Sequence, residues 1–198
     1  MRDRRRRQTR SEIHAAALRL AMEHGFDKLT VDLISAEAGV SPRTFFNYFP
    51  TKEAAVLAAP PVELPPALAE EFAGRGPAQP REVLADLTRL LVQDLTENPP
   101  RRDEMHAVFA LTNHRPALLA ALLARFEGFQ RSVGDAVARR LGQPAGSEVP
   151  TLLAALALTA MRTGMERWAN EKPSAAGDDS PVPYVERAAE LLRTLLTS

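Results

Sequence analysis

The sequence predicts an all-α protein, and three observations support this fold class. Apolar residues recur three and four positions apart along most of the chain, which is the period of a helix with one buried face. The strict apolar-polar alternation of a half-buried strand is not found in the sequence. Residues 29–53 contain two short helical stretches joined by a glycine turn. We therefore expect a set of packed helices with a helix-turn-helix near the N-terminus.

Composition excludes several classes of protein. The 198 residues are enough for one large domain, or for a small one and a medium one. There is no cysteine, and the four histidines form no cluster with metal-ligand spacing, so we expect no disulfide, metal or cofactor. The longest apolar run, 152–161, is too short to span a bilayer, and the N-terminus has no apolar secretory segment. These features predict a soluble cytoplasmic protein without a membrane partner.

The first element is a basic arm over residues 1–9. Six arginines lie within the first ten residues. Residues 1–55 hold ten Lys/Arg against seven Asp/Glu, whereas the remainder holds fifteen against eighteen, so a zero net charge conceals a basic end. Such an end suits contact with a polyanion, either at phosphates or in a minor groove. The alternative is a disordered, solubilising tail.

Residues 10–24 form the first predicted helix, with Ile13, Ala17, Leu20 and Ala21 on its inner face.

The helix-turn-helix follows. Thr30 is an N-cap residue type, and it precedes an apolar stripe at helical spacing over residues 31–40. Gly39 lies where this helix should end, because glycine tolerates the left-handed backbone of a C-terminal cap. Ser41 then caps another helix, and Pro42 occupies its first turn, where a missing N–H has no cost. This unit places its second helix in the major groove of DNA.

The run GVSPRTFFNYFPTKEA, residues 39–54, resembles the recognition-helix signature of the TetR family of transcriptional regulators. A generic helix-turn-helix would not require its aromatic-Asn-Tyr-Phe-Pro-x-Lys-Glu continuation. The resemblance covers about residues 8–59. It implies a three-helix DNA-binding head, which we place over 1–55 together with the arm. It also implies a helical body for ligand binding and dimerisation, which we place over 56–198.

The resemblance implies a set of DNA-binding residues whose chemistry suits the role. Arg43 can bind O6 and N7 of guanine, and Asn47 can bind adenine or a phosphate. Phe46 can press against a thymine methyl group, although Asn47 and Phe46 can also be surface residues without a base contact. The full predicted set is Arg10, Thr30, Ser41, Pro42, Arg43, Thr44, Phe46, Asn47, Tyr48 and Lys52.

The other members of this set are expected at the DNA backbone. Thr44 and Tyr48 offer hydroxyl groups to phosphates, and Lys52 lies in the first turn of a further helix, facing the DNA backbone. For Thr30 and Ser41, DNA contact would be added to helix capping. Phe45 and Phe49 are expected to pack inside the head.

Thr51 is predicted to cap a fourth helix over 52–59. The segment PPVELPP at 60–66 must break or bend this helix, and GRGPAQP at 74–80 is a second interruption. TetR-like proteins usually have a longer, continuous fourth helix that runs from head to body. The interruptions therefore put in doubt a simple rigid lever between the two parts.

The rest of the chain is predicted to be helical. The apolar spacing and the breaks at Asn98-Pro99-Pro100 and Gly142 predict helices over 81–97, 102–113, 116–141, 149–170 and 182–196, with a flexible connection at 172–181. The inner face of the first of these carries Leu84, Leu87, Leu91 and Leu95. That of the long helix carries Leu119, Leu122, Phe126, Phe129, Val133, Val137 and Leu141.

The predicted helix over 149–170 is apolar on most faces, so it needs burial on more sides than one body can supply. Its alanines permit close approach of another helix. We predict that the last two helices form a four-helix homodimer interface, as the resemblance also implies. The alternative is a central helix of a monomer. Two-fold symmetry would present two recognition helices to a palindromic operator.

A regulator of this kind needs a signal, and the resemblance implies a small, often apolar effector held among the body helices. Methionine and aromatic residues are common pocket linings, although at this spacing they also form plain core. The predicted ligand-binding residues are Met105, Phe109, Phe126, Phe129, Met161, Arg162, Met165 and Trp168. Arg162 is expected either to neutralise an acidic ligand group or to pair with a glutamate across the bundle.

No motif indicates an enzyme. The sequence has no glycine-rich phosphate loop, no GxSxG and no carboxylate pair at metal-ligand spacing, and His106 and His114 are about two helical turns apart. The sequence therefore predicts a ligand-responsive repressor that binds a palindromic operator as a homodimer and is released by a small apolar effector. The alternative is a helical protein-interaction module, or an activator without small-molecule control.

Overall fold

The computed structural model describes residues 2–58, 63–171 and 179–196, and in these ranges it contains helices and no strands. The all-α prediction is therefore confirmed. The first five helices are α1 Arg2–His24, α2 Val31–Glu37, α3 Pro42–Phe46, α4 Lys52–Leu57 and α5 Pro66–Gly74. The other five are α6 Pro80–Glu97, α7 Arg102–Asn113, α8 Pro116–Leu141, α9 Glu148–Asn170 and α10 Val182–Leu195. In the described part of the chain, no helix has the length and apolar content needed to cross a membrane.

The chain forms two compact units. Unit 1 comprises Met1–Pro60 together with Asp103–Arg125, and unit 2 comprises Pro61–Arg102 together with Phe126–Ser198. Nearly all of α7 and the first part of α8 thus group with α1 to α4 in unit 1. The predicted division into a head over 1–55 and a body over 56–198 stays a prediction.

Unit 1 is built around α1. The predicted inner face of α1 is confirmed, since Ile13 and Ala17 are fully buried and Leu20 and Ala21 nearly so. The short helices α2 and α4 pack against α1, and α3 packs against α2. Their buried side chains include Ile34, Phe45, Phe49, Ala55, Val56 and Leu57. Phe45 and Phe49 lie inside the unit, as predicted.

Each of these short helices begins with a side-chain cap. The Oγ1 atom of Thr30 accepts a hydrogen bond from the Leu33 amide at 3.2 Å. Ser41 and Thr51 accept in the same way at 3.1 Å from the amides three residues further along. A capping hydroxyl contributes about 1 kcal/mol, which is a large fraction of the stability of a helix of one or two turns. The three predicted caps are confirmed.

The N-terminal part of the chain differs from the prediction. The basic arm expected over residues 1–9 is helical from Arg2, as a continuation of α1. Arginine and glutamine are good helix formers, and the segment contains no glycine or proline to stop the helix. A high density of arginines is therefore compatible with a helix and does not by itself predict an irregular arm.

The connections around α5 partly match expectation. The helix predicted over 52–59 ends at Leu57, where the non-glycine residue Ala58 adopts a positive φ of 29°. Of the predicted break at 60–66, residues 60–62 lie outside the described residues, and α5 begins at Pro66. The predicted interruption at 74–80 is confirmed, because α5 ends at Gly74 and α6 begins at Pro80.

Unit 2 has one hydrophobic core to which α5, α6, α8 and α9 all contribute. The predicted inner face of α6, with Leu84, Leu87, Leu91 and Leu95, is confirmed as buried. The full core cluster comprises Leu64, Ala69, Phe72, Val83, Leu84, Leu87, Leu90, Leu91, Phe129, Val133, Ala136, Val137, Leu153, Ala154, Ala157 and Leu158.

One position of the long helix was predicted wrongly. Leu119 is 44% exposed, whereas its neighbour Leu118 is fully buried. The sequence offers two adjacent leucines here and again at Leu122-Leu123, so periodicity allowed two phases one residue apart. Packing in unit 1 selects the phase that buries Leu118 and Leu122.

In unit 2, α9 and α10 cross closely at Gly164. A Cβ atom added at Gly164 would lie 2.5 Å from the Cα atom of Val185 and 2.8 Å from the carbonyl carbon of Tyr184. These are backbone atoms, which cannot move aside as a flexible side chain would. The crossing therefore requires glycine on α9, for reasons of space and not of backbone conformation.

We expect Gly164→Ala to lower the free energy of unfolding by roughly 1–3 kcal/mol, because overpacking separates α9 from α10. Gly134→Ala is the matched control. Gly134 also lies within a helix and is buried, but a Cβ there would have only ordinary contacts at 3.9–4.0 Å. The control should be neutral or gain about 0.5–1 kcal/mol. Urea unfolding of both variants measures the difference, and equal stability of the two would contradict the close crossing.

Candidate nucleic-acid interface

The turn between α2 and α3 has the geometry of a helix-turn-helix. Gly39 has a φ of 66°, in the left-handed region that favours glycine. The Val40 amide then donates to the Ser35 carbonyl at 2.9 Å, which closes the C-terminal end of α2. The predicted turn is confirmed, and it reverses the chain so that α2 and α3 pack against each other.

The orientation of α3 is fixed by its buried side. Phe45 is fully buried and Phe49 is 1% exposed, and their ring centroids are 6.1 Å apart. Its neighbour Phe46 points about 100° away around the helix axis, and 56% of Phe46 is exposed. The rings of Phe45 and Phe46 meet edge to face at 5.4 Å. A buried aromatic anchor thus determines which side chains the helix presents.

The presented side chains are of the types that read DNA bases. Arg43 and Asn47 are exposed on either side of Phe46, and Ser41 and Pro42 are exposed at the start of the helix. Arg43 carries five N–H donors, Asn47 both a donor and an acceptor, and Phe46 an apolar face. The helix itself is shorter than predicted, since it ends at Phe46 and Asn47 occupies the C-cap.

The hydroxyl-bearing residues that were predicted to bind DNA differ in their exposure. Thr30 is exposed while it caps α2, so its capping role leaves a side open to solvent. The Oγ1 atom of Thr44 lies 2.9 Å from the Oγ atom of Ser41, and Thr44 is half-buried. Tyr48 is also half-buried.

Two predicted DNA-binding cations are directed into unit 1. The Nη1 group of Arg10 donates to the Tyr48 carbonyl at 2.9 Å, and its guanidinium lies 4.3 Å from the centroid of the Phe49 ring. Burial, and then the charge of Arg6, lower the pKa of Arg10. The Nζ atom of Lys52 donates to the carbonyls of Leu29 and Phe26, which identifies partners that the sequence did not suggest.

Further polar side chains that the sequence analysis did not single out hold unit 1 together. Arg115 pairs with Asp27 at 2.6 Å, and this hydrogen bond lowers the pKa of the Asp27 carboxyl. Arg125 donates to the Ala58 carbonyl at 2.7 Å, and burial lowers its pKa to about 10. A ring nitrogen of His14 lies 2.8 Å from the Ala55 carbonyl. These partners are separated by about 40 to 90 residues, so no local pattern could have revealed them.

The predicted ligand-binding residues do not all belong to the same unit. Met105 and Phe109 are half-buried in unit 1, whereas the remaining six belong to unit 2. In unit 2, Phe129 is a member of the core cluster, and Met161 packs against that cluster while half-buried. Phe126 is half-buried and Met165 is buried.

Trp168 and Arg162 each bind neighbouring side chains of unit 2. Trp168 is fully buried, and its indole N–H donates to Asp179 at 3.2 Å. The guanidinium of Arg102 lies 4.7 Å from the Trp168 ring centroid and pairs with Asp179 at 2.6 Å. Arg162 is exposed and pairs with Glu166 at 2.9 Å, one turn along the same helix. The glutamate expected across the bundle is therefore a neighbour on α9.

Two family models match this chain. The model described as bacterial regulatory proteins, tetR family, matches residues 13–59. The model described as the MftR C-terminal domain matches residues 81–196, which is more than half of the chain. The first match contains α2, α3 and the turn between them, and the second begins in α6 and extends past the end of α10.

The chain is also similar to two bacterial relatives and to one solved structure. An uncharacterised HTH-type transcriptional regulator of Mycobacterium tuberculosis strain H37Rv is 34% identical over 57% of this chain. The chain spans only 60% of that relative's length. A protein of the same strain, named as a mycofactocin biosynthesis transcriptional regulator, MftR, is 27% identical over 85% of this chain and 84% of its own. The TetR-family repressor FadR of Thermus thermophilus, solved with lauroyl-CoA, is 28% identical over 92% of both chains, with a TM-score of 0.43.

Proposed function

The chain belongs to the TetR family of bacterial regulatory proteins, and on that premise we propose that it represses transcription by binding a palindromic operator as a homodimer. The family and the named relatives are transcriptional regulators and not enzymes, in agreement with the absence of catalytic motifs from the sequence. Separate groups of described residues support the operator, the dimer and the effector.

The observation that carries the proposal is the outward face of α3. Phe45 is buried beneath it, so Arg43, Phe46 and Asn47 are held outward on a short, capped helix. A guanidinium, an amide and an aromatic ring together supply the donors, the acceptor and the apolar contact that distinguish base pairs in the major groove. Phe46 is 56% exposed and lies beside polar side chains, so the outward face of α3 does not contribute to the packing of unit 1.

We expect Arg43→Ala to weaken operator binding by roughly 1–3 kcal/mol per half-site and to relax base preference at one position in each half-site. The operator is first obtained by selection from random duplexes and from the DNA upstream of the gene itself. Fluorescence anisotropy at fixed salt then compares the variant with the wild type on the selected site and on single-base variants of it.

Arg81→Ala is the control, because Arg81 is an exposed arginine at the start of α6 in unit 2. It removes the same charge without touching α3. If Arg43→Ala retained wild-type affinity and the same site preference, the base-reading role would be wrong.

The dimer is supported by an apolar surface on the last two helices. On α9, Val149 is 40% exposed and Leu152 is 59% exposed. On α10 and directly after it, Leu191, Leu195 and Leu196 are 54–77% exposed. Such exposed leucines on two packed helices are typical of an interface between subunits. Leu156 on α9 is half-buried against the core of unit 2.

A charge in this surface should prevent dimer formation. We expect Leu191→Arg to give a monomer in sedimentation velocity at micromolar concentration, because an arginine would lie unpaired in a desolvated seam. Leu123→Arg is the matched control, since Leu123 on α8 is 53% exposed but belongs to unit 1. A dimer that survives Leu191→Arg and is lost with Leu123→Arg would place the interface elsewhere.

An effector is proposed for unit 2. The support is the half-buried Met161, which packs against the core cluster that includes Phe129, since flexible methionine and aromatic side chains line many apolar sites. Arg162 is exposed and held by Glu166, so it gives little support to an acidic ligand group. A ligand releases DNA only by the difference between its affinities for the free and the DNA-bound conformations.

We expect a screen of apolar acids, acyl thioesters and aromatic compounds to yield a ligand that raises the melting temperature of the free protein and lowers operator affinity. Met161→Ala should weaken that ligand without altering ligand-free operator binding, and Met22→Ala, an exposed methionine in unit 1, is the control. Tight binders that leave operator affinity unchanged would contradict control by an effector.

A further inference from the structure

The ammonium group of Lys52 is used inside the protein. Its Nζ atom donates to the Leu29 carbonyl at 2.9 Å and to the Phe26 carbonyl at 3.2 Å, and it lies 4.5 Å from the centroid of the Phe26 ring. An ammonium has three N–H donors, so two are occupied by backbone carbonyls and the charge faces an aromatic ring.

The two carbonyls belong to the turn that leads into α2. Phe26 to Lys28 form a short 3-10 turn, Leu29 follows, and Thr30 caps α2. Phe26 is 7% exposed and Leu29 is 2% exposed, so the turn is anchored in the interior of unit 1. The Phe26 carbonyl also accepts from the Leu29 amide at 3.2 Å, so it is the Leu29 carbonyl that would lose a donor without Lys52, which is costly in a buried setting. Lys52, in the first turn of α4, therefore holds the start of α2.

Arg10 occupies the equivalent position at the other end of the motif. Its Nη1 group donates to the carbonyl of Tyr48, two residues after α3 ends, and its guanidinium covers the ring of Phe49. A half-buried cation at this point donates to a backbone carbonyl and restricts the direction of the chain that leaves α3. Both ends of the α2–α3 pair are thus tied by cations from other helices.

We propose that Lys52 and Arg10 are positioning residues that hold α2 and α3 from the protein side, and that neither neutralises a DNA phosphate. This inference rests on the proposed operator binding. It departs from the expectation drawn from the sequence, in which both residues were assigned to DNA. Of the three cations in that predicted set, Arg43 is exposed, whereas Arg10 and Lys52 are half-buried.

The two roles predict different salt dependence. Each phosphate that a protein neutralises contributes about −0.9 to the slope of log affinity against log salt. A phosphate contact by Lys52 in each of two subunits would therefore contribute about −1.8 to the slope of the dimer. A positioning role contributes nothing to the slope, while its loss lowers affinity at every salt concentration.

The test uses the full chain and three variants. Lys52→Met keeps the aliphatic stem and removes the donors, whereas Lys52→Arg keeps the charge but replaces a compact ammonium by a planar fork. Lys28→Met is the control, because Lys28 is exposed on the same turn. Circular dichroism first establishes that each variant is folded.

On the free protein, we expect Lys52→Met to lower the melting temperature by roughly 5 °C and to speed amide exchange in α2, with Lys28→Met unchanged. On the selected operator, Lys52→Met should lose about tenfold or more in affinity with an unchanged salt slope. Lys52→Arg should also lose affinity, although an arginine would preserve a phosphate contact.

The proposal is overturned if Lys52→Arg binds as tightly as the wild type while Lys52→Met keeps its melting temperature and loses nearly two from the slope. Failure of the wild type to bind any selected duplex is a separate result, and it would overturn the proposed function. The melting temperature and the amide exchange need no DNA, so they still decide whether Lys52 holds the turn.

Discussion

Helices of five to seven residues are too short to keep their shape in water, and α2, α3 and α4 are all of this length. Contacts made outside these three helices must therefore fix the shape of the candidate interface. Hydroxyl caps satisfy the first amides, and the glycine turn satisfies a carbonyl at the end of α2. Phe45 and Phe49 supply the apolar anchor. The outward face of α3 is a consequence of these supports and not of α3 alone.

Sequence reasoning located this interface because its supports are local. A serine followed by a proline, a glycine eight residues after Val31, and two phenylalanines four apart each have a meaning within one or two turns. The same locality explains the agreement over α7 and α8, whose limits at Arg102, Asn113, Pro116 and Leu141 fall where predicted. It also explains why Leu119 was wrongly predicted on the inner face of α8, since two adjacent leucines give no local reason to prefer one of them for that face.

What the sequence could not show is the direction of long polar side chains. Arg10 and Lys52 have the residue types and positions of DNA contacts, but a flexible cation can turn toward a carbonyl as readily as toward solvent. Arg115 and Arg125 bind partners 88 and 67 residues away in the chain. A count of basic residues over 1–55 thus overstates the positive charge available to an external polyanion. Trp168, which the sequence predicts for a ligand site, has Arg102 and Asp179 as partners within unit 2, and no pattern in the sequence indicated either contact.

The close crossing of α9 and α10 also bears on the order in which the molecule is assembled. The two helices are neighbours in the chain, joined by residues 171–181, so bringing Gly164 against Val185 closes only a short loop. Contacts of low sequence separation form quickly, because little chain entropy is lost before they are made. This hairpin of helices can therefore precede the longer-range packing of α6 against α9. Until that packing is complete, the core residues of α9 would be exposed beside the leucines that stay exposed in the folded unit, so the hairpin would be prone to associate with other chains.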